Sequence, residues 1–378
     1  MSTENTPTPA TESNPGNPGV LSFTVSAVVL RAALKACAPA MSKDEARYIL
    51  NGVHLELRPS SLPAIRDGAA PHVLTVAATD GRRLHVAQIP VDGLSLPPSP
   101  ARTLSFIVPA SAVRAALKSC FPAKLKNGEA LLSFPRRASG LVNATPAPWL
   151  VLNTPCGEHA TPAVGVDCNY PNIRQVIPAL PPGRPHVFIS MRDAENVAEI
   201  ESAENARFTE ACLSAAALSA AQAGLPFPSA QIRAATAPAV RTLIKTSRAK
   251  NPCAYFERGP GGRLIPLALS FGAVPPSFQF NADGTKVFPM GAKDVALSHP
   301  SGVCSIGSPA VAVAGINPAY LADLVEAVAA FNDVPGRALN GALIAKDENA
   351  PFVLSTSDAI DAGKGFSFLA VIMPQRVR

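Results

Sequence analysis

The 378-residue sequence predicts an α+β fold of repeated strand-helix-strands units, with the helices on one face of antiparallel sheets. Three observations predict it: an internal repeat, runs of alternating polarity behind each copy of that repeat, and turn residues between the runs. FTVSAVVLRAALKACAPA (residues 23–40) aligns without a gap to FIVPASAVRAALKSCFPA (residues 106–123), with 11 of 18 positions identical. Repetition at this level marks one structural unit used twice.

Residues 1–18 hold Pro, Thr, Ser and Asn and no large apolar side chain after the initiator. They cannot offset the entropy of ordering and are expected to form a disordered tail, counted as residues 1–20. In each repeat the strand is Phe23 to Val25 or Phe106 to Val108, and a helix starts at Ser26 or Pro109, where a capping oxygen or a fixed φ suits the first turn. Pro39 and Pro122 stop the two helices, because proline cannot continue one. The polar stripe of each carries two cations four residues apart, Arg31 with Lys35 and Arg114 with Lys118, and the alanines elsewhere let the helix lie close on a sheet.

Behind the first helix come ILNGVHLEL (49–57), VLTVAATD (73–80) and RLHVAQIPV (83–91); behind the second come ALLSF (130–134), WLVLN (149–153) and HATPAVGV (159–166). Their alternation fits half-buried antiparallel strands. The same pattern is expected again, less regularly, in FISMRDAENVAEI (188–200), a helical run 205–223, the strands AYFER and LIPLALSFG, the helix NPAYLADLVEAVAAF (317–331), and the closing strands ALIAK, FVLST and FSFLAVIMP. Pro/Gly-rich pieces at 224–238 and 275–303 are expected to be insertions, since structureless loops of that length are rare inside a compact domain.

The length fits two or three domains, and 47% apolar with 16% charged residues is a soluble globular composition. No apolar stretch approaches the roughly 20 residues of a membrane span, and no secretory signal is visible, so a cytoplasmic location is expected. Seven cysteines (Cys37, Cys120, Cys156, Cys168, Cys212, Cys253, Cys304) without a CxxC pair point to reduced, mostly buried thiols. A net charge of +6 permits an anionic partner without requiring one.

Candidate chemistry is sparse. Cys156 with Glu158 and His159 in TPCGEHA could supply a nucleophile and a base, but sits between strand-like runs with no helix N-terminus; GPGGR (259–263) matches no phosphate-loop spacing. The six histidines (His54, His72, His85, His159, His186, His299) have no metal-ligand spacing. No enzyme, metal or cofactor is expected.

Four motifs, in order, carry a resemblance. ARYILNGVHLEL followed by LTVAATDGRRLHVAQIPV resembles the middle domain of the bacterial sliding clamps, the beta subunits of DNA polymerase III. YPNIRQVIP (170–178) resembles the family's linker to its last domain, NPAYLADLVEAV the second helix of that domain, and VIMPQRV (371–377) its C-terminal tail. The resemblance implies a DNA-clamp fold in a two-domain form lacking the family's first domain: residues 21–178 like the middle domain, and residues 179–378 like the C-terminal domain with insertions.

It further implies a ring whose helices face duplex DNA and whose outer surface holds a peptide cleft for DNA polymerase and the clamp loader. Carried over by motif, the cleft would use Leu50, Thr79, Gly81, Arg82, Arg83 and Leu84, then Pro171, Gln175 and Val176, then Val371, Met373, Pro374 and Arg376. The family cleft takes a glutamine followed by leucine and then leucine-phenylalanine, which requires an apolar pocket with a few polar groups at its rim. Arg31, Lys35, Arg114 and Lys118 would neutralise phosphates without reading sequence, joined by Arg241, Lys245 and Arg248 of RTLIKTSRAK; on the residues alone, a solvated face is the favoured reading of the four helical cations, and the resemblance turns it towards DNA. Against the phosphate reading, residues 191–210 and the helix with Asp323 and Glu326 are acidic. Three two-domain chains would restore six domains, so a homotrimer is favoured. The alternative is an adaptor or decoy that binds clamp-binding peptides without encircling DNA.

Overall fold

A computed structural model of the chain describes residues 21–59, 72–95, 104–122, 125, 127–134, 136–137, 147–162, 170–178, 186–222, 224, 230–234, 236–238, 253–270, 277–280, 287–290, 312–332, 341–355 and 367–375. The expected tail at residues 1–20, Cys168, Cys304, and the candidate residues Arg241, Lys245, Arg248 and Arg376 lie outside them.

The architecture is α+β, and the strand-helix-strands unit occurs four times. The first unit is β1 (Leu21–Ser26), α1 (Ala27–Cys37), β2 (Gly52–Pro59), β3 (His72–Thr79) and β4 (Arg83–Pro90), followed by β5 (Asp92–Ser95). The second is β6 (Leu104–Pro109), α2 (Ala110–Ser119), β7 (Glu129–Phe134), the short β8 (Arg136–Arg137), β9 (Ala147–Thr154) and β10 (Gly157–Pro162). One turn of helix, α3 (Ile173–Val176), precedes the third unit: β11 (Val187–Ser190), α4 (Met191–Gln222), β12 (Cys253–Arg258), β13 (Leu264–Ser270), β14 (Ser277–Phe280) and β15 (Val287–Met290). The fourth is β16 (Ala314–Ile316), α5 (Pro318–Asn332), β17 (Ala342–Ala345), β18 (Phe352–Ser355) and β19 (Ser367–Ile372).

Units are coupled by exchanging their first strands. β1 pairs with β7 of the second unit while β6 pairs with β2 of the first; β11 pairs with β17 and β16 with β12 in the same reciprocal way. No single unit can bury its own apolar faces, so each pair folds together. The helix starts share in this exchange: Ala27 N–H donates to Gly128 O and Ala110 N–H to Asn51 O. Ser26 precedes α1 as expected, but its side chain makes no capping bond; the partner unit's carbonyl satisfies the first N–H instead.

The resulting antiparallel sheets run β10-β9-β7-β1-β5, β6-β2-β3-β4-β19-β18-β17-β11 and β16-β12-β13, with β14-β15 a separate hairpin. On β4, Arg83, His85, Ala87 and Ile89 are buried on the side where α1 lies, and Leu84 and Val86 belong to an apolar cluster on the other. This is the period-two alternation of a strand. Phe23, Phe106, Phe331, Phe352 and Phe368 fill the space under the helices, with Phe106 edge-on to Phe134 at 4.6 Å.

Two local expectations change. The helix expected over 205–223 begins already at Met191 and runs to Gln222, because ESAEN at 201–205 has neither Gly nor Pro to break it. Residues 45–50, in part read as strand, form 3-10 turns, and β2 begins only at Gly52. Within the pieces expected to be insertions, residues 230–234 and 236–238 are helical, and β14-β15 is a hairpin packed near α4.

The two halves join where β19 pairs with β4 over six residues, from Ser367 opposite Gln88 to Ile372 opposite Arg83, making one eight-stranded sheet. Above this ladder α1 packs along α5 and α5 along α4, giving a helix row α2, α1, α5, α4. Arg83 locks the junction from the helix side. Its guanidinium pairs with Asp80 at 3.1 Å and with Asp323 of α5, donates to Pro39 O at the end of α1, and lies 4.4 Å over the Tyr320 ring. His85 beside it is fully buried, with Nδ1 2.7 Å from Ala36 O and its ring edge-on to Phe368 at 5.8 Å.

Arg83→Met should therefore destabilise the fold by about 3 kcal/mol, because two carboxylates lose their common buried partner. Denaturant unfolding checks this, and a midpoint within error of the parent protein would refute the lock.

Candidate functional site

The three segments that the resemblance assigns to a cleft converge on the helix-free side of the β4–β19 junction. Leu84 pairs directly with Val371, and both are buried in a cluster with Ala77, Val86, Ile173 and Val353. Tyr170, Ile177 and Leu369 pack against it half-buried, so the 170–177 segment roofs apolar side chains drawn from both halves. At its edge Val176 is 48% and Met373 42% exposed, which leaves apolar surface facing solvent beside an apolar floor. Such a step is what an apolar peptide side chain needs in order to dock.

The polar rim comes from the β3–β4 turn. Thr79 Oγ1 donates to Arg83 O at 2.6 Å and accepts from Gly81 N–H at 3.1 Å, while Asp80 Oδ1 accepts from Arg82 and Arg83 N–H. Gly81 has φ +86, a conformation that other residues adopt only with strain, which explains the glycine of the TDGRR motif. Arg82 is exposed, and its carbonyl accepts from Met373 N–H at 2.9 Å, tying the C-terminal segment to the turn. Pro171 and Gln175 are exposed, and Leu50 and Pro374 half-buried.

Arg83 departs from the expectation. Strand alternation sends its side chain to the helix face, where Asp80 and Asp323 hold it, so it cannot line the cleft. The motif resemblance did not single out Ala77, Val86, Ile173 or Val353. Alternation along β4, β18 and β19 puts Val86, Val353 and Val371 on Leu84's side and could have found them. Tyr48 is 68% exposed on the turn that also places Arg47 against Gly81.

Under the roof, His54 stacks on Tyr170 with ring centroids 4.2 Å apart and planes at 3°, and its Nε2 lies 2.7 Å from Ser105 Oγ. Burial holds the His54 imidazole at about 4 and the His85 imidazole also at about 4, so both are neutral near pH 7.

On the opposite face, Lys35, Arg114 and Lys118 are exposed and Arg31 is half-buried. α1 and α2 present these cations, while α4 presents Glu195 and Glu199 together with Arg192 and Arg207, and α5 presents Glu326, all exposed. Cys37, Cys120, Cys212 and Cys253 are buried thiols and Cys156 is exposed. Among the described residues no group of side chains could hold a metal ion, and no helix is long and apolar enough to cross a membrane.

No family model matches this sequence, and no curated protein does. Among solved structures, the chain is similar to a sliding clamp (DNA polymerase III subunit beta) from Bartonella birtlesii bound to griselimycin, at 17% identity over 97% of this chain and 68% of that one, TM-score 0.46. It is also similar to the DNA polymerase III subunit beta from Pseudomonas aeruginosa, at 17% identity over 98% and 69%, TM-score 0.48. A third is the beta subunit from DNA polymerase of Streptococcus pyogenes, at 15% identity over 98% and 68%, TM-score 0.46.

The two histidines make stability pH-dependent in a stated direction. Their folded values lie below the ordinary 6.5, so the unfolded chain binds more protons on acidification. Stability is complete above pH 6.5 and falls towards pH 4, by about 2 kcal/mol per histidine at pH 5. Thermal melts at pH 7.5 and 5 should show the loss, and the His54→Gln/His85→Gln variant should lose less between the same two pH values. An equal drop in both proteins would assign the effect elsewhere.

Proposed function

We propose that the chain is a DNA sliding clamp, a non-catalytic processivity factor that encircles duplex DNA and tethers DNA polymerase and its loader through the Leu84–Val371 groove. The observation that carries this reading is the β4–β19 junction together with its unused counterpart in unit two. The third strand after the helix in unit one pairs with the third strand after the helix in unit four. In unit two the equivalent strand, leaving out the two-residue β8, is β10, and among the described residues it lies at the open edge of its sheet, while β14 of unit three pairs with β15.

The helices tell the same story. Ala32 and Ala36 of α1 are buried; their repeat mates on α2, Ala115 and Ser119, are exposed. A chain with one junction closed and its counterpart bare can propagate head to tail, and symmetric closure of that contact gives a ring. Three chains of four units would make twelve helices around one channel, the trimer favoured from the sequence. The domains resembling the middle and last domains of the clamp family are residues 21–178 and 179–378.

In that ring Arg31, Lys35, Arg114 and Lys118 contact phosphates electrostatically, without sequence preference. Arg241, Lys245 and Arg248 join them on the strength of their spacing in RTLIKTSRAK, and Arg376 joins the groove on the motif resemblance. Glu195, Glu199 and Glu326 on the same row favour a second reading, an adaptor that binds clamp-binding peptides through the groove and never surrounds DNA.

Retention on closed circular duplex, loaded with the cognate loader or at high protein concentration, separates the two. The clamp reading requires protein that stays on circles and leaves when they are linearised; equal, salt-labile retention on both forms overturns it. In the groove, Met373→Ala should weaken a synthetic peptide of the glutamine-leucine, leucine-phenylalanine class about tenfold, the loss of an apolar anchor. Unchanged peptide affinity would move the site elsewhere.

A further inference from the structure

We infer that the sheet face beside the groove carries a second docking point, at which Arg58 and Arg174 receive the carboxylate of an acidic residue flanking the partner's apolar segment. This rests on the peptide-groove reading above and adds a charge preference to it.

On the helix-free face of the eight-stranded sheet, strand register lays the side chains out in rows. Val353, Val371 and Leu84 form one row, and Leu369, Val86 and Ala77 the next; all six belong to the apolar cluster under residues 170–177 or pack against it. The third row is polar from end to end. It runs Ser105, Glu56, Thr75, Gln88, Ser367 across five strands, with Ser367 Oγ donating to Gln88 Oε1 at 3.4 Å. A strand rises about 3.3 Å per residue, so Gln88, four residues beyond Leu84, stands about 13 Å from the apolar anchor point. An extended peptide anchored at Leu84 and Val371 reaches the polar row with the residue four places from its anchor.

Three charged side chains meet at the β2 end of this row. Glu56 is largely buried, and the guanidinium of Arg174, on the exposed side of α3, stands 3.9 Å from it. Arg58, two residues along β2 on the same face, is half-buried, and its Nε is enclosed without a hydrogen-bond partner among the described residues. Burial and the nearby Arg174 guanidinium pull Arg58 below its ordinary value, while Glu56 opposes them. One carboxylate therefore serves two guanidiniums. The Thr75 hydroxyl beside Glu56 is 1% exposed and also lacks a partner among the described residues.

Excess positive charge beside unpartnered polar groups favours an incoming carboxylate, since a cation would meet two guanidiniums and an amide would leave the excess uncompensated. The planar guanidinium is the side chain best shaped for that contact. α3 ties the two docking points together: Ile173 is buried in the apolar cluster, and the next residue, Arg174, stands over Glu56. A partner is thus read twice on one sheet face, by its apolar side chains at the groove and by a carboxylate about 13 Å away.

The test compares synthetic peptides of the glutamine-leucine, leucine-phenylalanine class that carry an aspartate about four residues before or after the leucine-phenylalanine with mates carrying asparagine there. On the full chain at about 0.1 M salt, one aspartate peptide should bind at least about threefold tighter than its asparagine mate. Arg58→Gln with Arg174→Gln should bring that ratio to about one and leave the asparagine peptide's affinity unchanged, which reports an intact fold and groove. Glu56→Gln should raise the ratio, because it removes the competing carboxylate. Equal binding of aspartate and asparagine peptides on both flanks overturns the second docking point and leaves the groove standing. A preference that survives the double arginine change overturns the assignment to Arg58 and Arg174. Failure of every peptide to bind the parent protein overturns the groove and this inference together.

Discussion

Strand β19 closing on β4 is the contact from which the other features follow. It converts two strand-exchanged halves into a single eight-stranded sheet and draws α5 against α1. It also places Val371 opposite Leu84, which joins the two halves in one buried apolar cluster on the helix-free side. Both faces of that ladder are committed: Arg83, His85, Phe368 and Ile372 to the helices, Leu84, Val86, Leu369 and Val371 to the groove. A one-residue slip of β19 would exchange the two sets, so the register is held by two cores at once.

The polar groups at this junction define its geometry more than they add to its stability. A buried guanidinium shared by Asp80 and Asp323 loses much of its attraction to desolvation, yet it fixes how α5 meets the β3–β4 turn. The same turn, through Arg82 O, fixes Met373 at the groove's edge. The Leu84–Val371 cluster and the α1–α5 contact are thus two sides of one junction.

The first two units were legible in the sequence because residues 23–40 and 106–123 share a pattern that one helix and one strand can carry alone. The strand exchange was not, since pairing β1 with β7 joins residues more than a hundred apart and leaves no local trace. The groove was legible as a set of motifs but not as a surface: resemblance placed Arg83 in the cleft, and only the alternation of β4 shows its side chain leaving by the other face. The helical run expected from residue 205 in fact starts at Met191, because ESAEN between the two stretches holds no Gly or Pro and polarity alone does not break a helix.

Direct imaging of the purified protein by electron microscopy bears most closely on the central claim, that one closed junction and its bare counterpart make a ring. The account predicts closed particles of three chains with six similar lobes around an open centre. Isolated two-lobed particles at low salt and high concentration would contradict it.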